Sequence, residues 1–134
     1  MITVKSKYEG GLRTSAEHVK SGKTFQTDAP VDNNGKGETF SPTDTVAAAL
    51  ASCMMTVMAI DGEKKGIDMS GMRTETTKIM SAEPRRIAAL KLNFYWDNCS
   101  ASEEERAALK NIGRNCPVAL SLSENLRQEI TFHF

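Results

Sequence analysis

At the start of the chain, apolar and polar residues alternate with a period of two. Ile2, Val4 and Tyr8 fall on one side and Thr3, Lys5 and Lys7 on the other, the pattern of a half-buried strand. Glu9-Gly10-Gly11 turns the chain, Leu12 to Val19 reads as a second strand, and Ser21-Gly22 leads to a short third around Thr24 to Thr27. Together they predict an N-terminal meander. Asp28 to Gly37 is dense in turn formers and is read as an ordered loop.

The period then changes. Ser41-Pro42-Thr43-Asp44 is a helix start, with Ser41 as N-cap, Pro42 at the first helical position and Asp44 three residues after the cap. The predicted helix runs to about Lys65 and stops at Gly66. Between Val46 and Ile60 it is apolar nearly all round, which marks a helix enclosed on all sides. In a chain this small, one way to cover it is a second subunit.

Met69 to Met80 and Arg86 to Trp96 read as two longer strands around Ala82-Glu83-Pro84, with Leu90, Leu92, Phe94 and Trp96 on one face of the second. Ser102 to Glu105 is a capping box. The helix it opens carries the apolar stripe Leu109, Ile112 and Cys116, so Cys116 should face the core. Pro117 ends this helix or begins a short one over Val118 to Leu122, and Leu126 to Phe134 alternate as a last strand. The order predicts one α+β domain, residues 1–134, with a mostly antiparallel sheet.

Composition narrows the function classes. The 134 residues suffice for a real core, and 17 basic against 17 acidic residues, without a cluster of either sign, suggest neither a nucleic-acid groove nor a membrane anchor. MITVKSKYEGG lacks the apolar region of a signal peptide, and the uncharged run Thr45 to Ile60 is shorter than the about 20 residues a bilayer needs. The expectation is a cytoplasmic protein whose three cysteines, 53, 99 and 116, rest as thiols. With only His18 and His133 beside them and no C-x-x-C pair, no metal site is expected.

Cys53 lies in ALASCMMTVMAI. Its helical neighbours Val46, Ala49, Leu50, Val57 and Ile60 are apolar, a setting that raises a thiol's pKa, so packing alone explains the residue and reactivity needs a cation from elsewhere. Cys116 precedes Pro117 and could cap a new turn whose free N–H groups favour a thiolate, or could be one more core position. Cys99, in the polar turn Asp97-Asn-Cys-Ser100, has neither housing nor charge and is read as incidental.

SPTDTVAAALASC (41–53) and NCPVALSL (115–122), with YEGGLRTSAEH and SGKTFQTDAPVDNNGKGE before them, resemble the OsmC and organic hydroperoxide resistance (Ohr) family, in its OsmC-like branch. The resemblance implies an α+β intertwined homodimer in which antiparallel sheet wraps long central helices. It also implies a thiol peroxidase without a bound cofactor, using an external dithiol reductant such as a lipoylated protein. Cys53 matches the peroxidatic thiol, which becomes a sulfenic acid, and Cys116 the resolving thiol that closes a disulfide. Arg13 matches the cation that activates Cys53, and the apolar helix with Met54, Met55 and Met58 suits an oily substrate channel. The family glutamate near the helix start is replaced here by Thr43, with Asp44 beside it.

Asp44 precedes Cys53 by nine residues, about 13 Å along a helix and about 180° round, so it cannot serve its own Cys53. It is a cap or reaches a partner's site, and Glu38 is the second candidate holder of Arg13. His18 is a strand residue with a possible place at the rim. The rival readings are a thiol redox sensor and a non-enzymatic carrier of an apolar ligand at a dimer interface. A cysteine hydrolase fits less well, since neither histidine sits in a recognisable motif.

Overall fold

A computed structural model describes all residues, 1–134. The elements run β1 (Val4–Gly10), β2 (Arg13–His18), β3 (Thr24–Asp28), α1 (Pro42–Lys64), β4 (Arg73–Ser81), β5 (Arg86–Tyr95), α2 (Glu103–Arg114), α3 (Pro117–Ser121) and β6 (Arg127–Phe132). This is the expected α+β order. The chain forms two compact units, Met1–Val46 and Ala47–Phe134.

In the first unit β1, β2 and β3 make an antiparallel meander. The β2–β3 turn closes where the His18 N–H donates to the Lys23 carbonyl at 2.8 Å, and the register that follows sets Arg13 opposite Asp28. The half-burial expected of β1 is not found within one chain, since every one of its residues is exposed. Ile2, Val4, Tyr8 and Phe25 all present apolar surface.

The loop after β3 is ordered, as its turn formers suggest. A 3-10 turn spans Val31–Asn33, the Ala29 N–H donates to the Leu12 carbonyl at 3.0 Å, and the Gly35 N–H donates to the Pro30 carbonyl at 3.0 Å. Gly35 is required by space: a Cβ there would run into the Ala29 carbonyl. The loop then delivers the chain to α1 through reciprocal caps, with the Asp44 N–H donating to Ser41 Oγ at 3.1 Å and the Ser41 N–H to Asp44 Oδ2 at 2.9 Å.

In the second unit the β4–β5 pair is antiparallel and β6 lies parallel to β5, so the strand pairing is mostly antiparallel, as expected, with one parallel pair. The reason lies in the connection. Parallel neighbours need a long crossover, and α2 and α3 occupy it. The second predicted strand pair also starts later than expected, because Gly71 sits at φ +85 and Met69–Met72 form a turn.

Fully buried Leu50, Met54 and Met58 of α1, Leu90, Leu92 and Phe94 of β5, and Leu109 of α2 make the core of this unit. Ser102 opens α2 with the full capping box, and Gly113 lets α2 come close to Met58, whose Sδ lies 3.0 Å from where a Cβ would be. The expected enclosure of α1 is not achieved within one chain. Its buried residues form one stripe, while Ala48, Ala49, Ser52, Thr56 and Ile60 are exposed.

Gly35→Ala should destabilise the first unit by about 1–3 kcal/mol, the usual cost of forced overpacking. Urea denaturation, with limited proteolysis mapping cleavage to residues 29–40, measures this.

Candidate active site

The N-terminal cluster is built on a buried carboxylate. Asp28, 1% exposed at the end of β3, accepts hydrogen bonds from Arg13 Nε at 2.7 Å and Arg13 Nη2 at 2.9 Å. It also accepts one from the Glu38 N–H at 3.1 Å. Its own N–H donates to the Phe40 carbonyl at 3.0 Å. Buried carboxylates persist where donors converge like this. The hydrogen bonds from Arg13 hold the Asp28 carboxyl below its ordinary range, against the opposing effect of burial.

Arg13 is correspondingly held protonated even more firmly than a free arginine, first by Asp28 and then by Glu38. Glu38 reaches the guanidinium through one contact, Arg13 Nη2 to Oε2 at 2.9 Å. Glu38 is therefore a partner of Arg13, while the principal holder is Asp28, a residue that its sequence neighbours mark only as a turn former. A signal for it existed: once the β2–β3 turn is centred near Ser21, antiparallel pairing sets residue 28 against residue 13. Asp44 serves as the helix cap, and its carboxylate accepts from the Ser41 N–H. Thr43 Oγ1 is hydrogen-bonded to Ser41 Oγ at 3.1 Å, within the same cap.

The second cluster is the thiol pair. Cys53 is half-buried on α1 and Cys116 is buried, both as free thiols, and Cys53 is near enough to Cys116 to act on its titration. Cys116 is the N-cap of α3, where its sulfur accepts from the Ala119 N–H at 3.4 Å. The expectation that this capping position favours a thiolate is corrected. Burial outweighs the helix N–H groups, and the neighbouring Cys53 adds to it, so the Cys116 pKa is raised. Cys116 is a buried thiol beside a more accessible one.

The remaining candidates lie apart from these contacts. His18 is hydrogen-bonded to Ser21 Oγ at 2.6 Å in the hairpin turn, His133 stacks on Tyr95 at 4.6 Å, and Cys99 is half-buried. Met54 and Met58 fill the core instead of lining a channel. Met55 lines a hollow of about 200 Å³ with Thr56, Ala59, Met69 and Met72. No group of three or more His, Cys, Asp or Glu side chains is arranged to hold a metal ion.

Residues 35–131 match the family model described as OsmC-like protein. The chain belongs to that family. Among solved structures it is similar to a Psychrobacter arcticus protein named for osmotic stress induction and a detoxification response, at 42% identity and a TM-score of 0.94, covering 99% of this chain and 96% of that one. It shares its fold with the organic hydroperoxide resistance protein OsmC of Legionella pneumophila (17% identity, TM-score 0.73, 100% and 98% covered). The same fold is found in OhrB of Bacillus subtilis (17%, TM-score 0.64, 98% of both chains). No curated protein matches the chain closely enough to count as a relative.

Two outcomes follow for the OsmC-like site. Iodoacetamide at neutral pH should label Cys53 well before Cys116, read by peptide mass spectrometry, because Cys116 is buried and burial raises its pKa. Asp28→Asn should destabilise the protein at pH 7, with the difference shrinking as pH falls below about 4. Because the folded pKa of Asp28 is depressed, its contribution is full above the unfolded carboxylate pKa and disappears as pH falls through the folded one. Denaturation of both proteins across pH 3–7 measures it.

Proposed function

We propose that this OsmC-like protein is a cysteine peroxidase that reduces organic hydroperoxides, with hydrogen peroxide as a second candidate substrate. The observation that carries the reading is the pairing of an accessible helix cysteine, Cys53, with a buried neighbouring thiol, Cys116. The names of the Legionella and Bacillus proteins that share the fold point to the same chemistry.

In this reading the Cys53 thiolate attacks the terminal oxygen of the hydroperoxide. The O–O bond breaks, the alcohol leaves after taking a proton, and Cys53 carries a sulfenic acid. Cys116 then condenses with it: the S–S bond forms and the sulfenic hydroxyl leaves with the thiol proton as water. An external dithiol, such as a lipoylated protein, reopens the disulfide by exchange and is itself oxidised. Arg13 is the candidate cation of this chemistry, a role suited to a guanidinium that Asp28 keeps charged and oriented.

The proposed assembly is a cytoplasmic homodimer. Two features support it, the exposed face of α1 and the apolar side chains that β1 and β3 leave at the surface. Both are surfaces a single chain does not cover.

Cys53→Ser should abolish consumption of cumene hydroperoxide under excess dithiol while circular dichroism is retained. Cys116→Ser should allow one turnover and leave a Cys53 sulfenic acid that dimedone traps. One equivalent of hydroperoxide on the wild type should give a Cys53–Cys116 disulfide by mass spectrometry. Undiminished consumption by Cys53→Ser would end the reading.

A further inference from the structure

One residue breaks the pattern of β6. Gln128, Ile130 and Phe132 are the half-buried positions of this strand, alternating with exposed Arg127, Glu129 and Thr131. In register they stand beside Leu90, Leu92 and Phe94 of β5, all wholly buried. Gln128 therefore takes a place on the core-facing side that strand periodicity gives to an apolar residue. An amide in such a place needs a partner to offset the water it gives up. Gln128 Nε2 finds one in α3, donating to the Ala119 carbonyl at 3.0 Å.

Ala119 is buried and is held at both ends. Its carbonyl, among the last four of α3 and so without a donor inside the helix, accepts from Gln128. Its N–H donates to Cys116 Sγ at 3.4 Å. One residue thus joins the amide on the sheet to the buried sulfur. A helix of five residues has little cohesion of its own, so its seat depends on tethers of this kind. Arg86 supplies another, since its Nη1 donates to the Asn125 carbonyl at 2.9 Å and ties the segment after α3 to the start of β5.

The two sulfurs differ in what holds them. Cys53 rides on the 23-residue α1, whereas Cys116 is only as well placed as α3. To close the disulfide, Cys116 must reach the oxidised Cys53 and give up its proton as the S–S bond forms. Burial opposes the loss of that proton, and the N–H on its sulfur favours it.

We propose that Gln128 is a positioning residue for Cys116, its amide holding α3 through the Ala119 carbonyl so that the buried sulfur keeps its N–H donor and its place for the disulfide-closing step. The inference rests on the peroxidase reading and concerns its second half alone. Gln128 acts through Ala119 and takes no part in O–O cleavage.

Single-turnover kinetics with one equivalent of cumene hydroperoxide separate the two steps, with dimedone trapping the Cys53 sulfenic acid and mass spectrometry following the disulfide. Gln128→Met keeps the reach of the side chain and removes the donor. It should form the sulfenic acid at the wild-type rate and close the disulfide about two- to tenfold more slowly, the range of one lost hydrogen bond. In a Cys116→Ser background the same substitution should leave the lifetime of the sulfenic acid unchanged, which a general loss of packing would not do. Gln128→Glu, a second variant of nearly the same shape, should close slowly at pH 7, where a carboxylate cannot donate to the Ala119 carbonyl. Relative to wild type it should recover as the pH falls and the carboxyl gains a proton to donate. Wild-type closure in both variants, or an equal fall in both steps, would overturn the role of Gln128 and leave the peroxidase reading intact. A wild type that forms neither sulfenic acid nor disulfide would end both.

Discussion

A carboxylate removed from water must be answered on every side, and Asp28 is the place where this chain meets that demand. Its partners come from three stretches of sequence: Arg13 on β2, the Glu38 N–H in the loop, and the Phe40 carbonyl, to which its own N–H donates. Satisfying this one residue, carboxylate and backbone N–H, therefore fixes a strand, a loop and the approach to α1 together. The first unit has little else to hold it. Its buried residues within the chain are Ala16, Thr27, Asp28 and Ser41, so polar geometry takes the part that apolar packing takes elsewhere.

The second unit is organised by the opposite physics. Leu50, Met54, Met58, Leu90, Leu92, Phe94 and Leu109 are wholly buried, and period-2 and helical spacing made most of them readable in advance. Capping chemistry was equally legible, at Ser41 and at Ser102, because a cap is a local event that a few residues decide. Cys116 was open between capping α3 and facing the core, and it does both. The thiol pair could be inferred only through likeness to a family, since no local rule brings residues 53 and 116 together.

What the sequence hid follows from the same distinction. Asp28 looked like a turn residue because its neighbours are turn residues, and its role depends on the register of a hairpin whose pairing lies outside any short window. The direction of the Cys116 pKa depended on burial, which competes with the helix N–H groups and wins. The parallel placement of β6 was likewise invisible, because alternation of side chains is the same in either strand direction.

That parallel strand has a bearing on the second sulfur. An antiparallel β6 could follow β5 through a turn of a few residues, but a parallel one obliges the chain to travel back along the sheet before pairing. α2 and α3 are that return journey. Cys116 thus rides on a connection the sheet cannot do without, and a deletion that removed it would have to rebuild the edge of the sheet as well. The thiol is protected by topology: its location is underwritten by strand polarity.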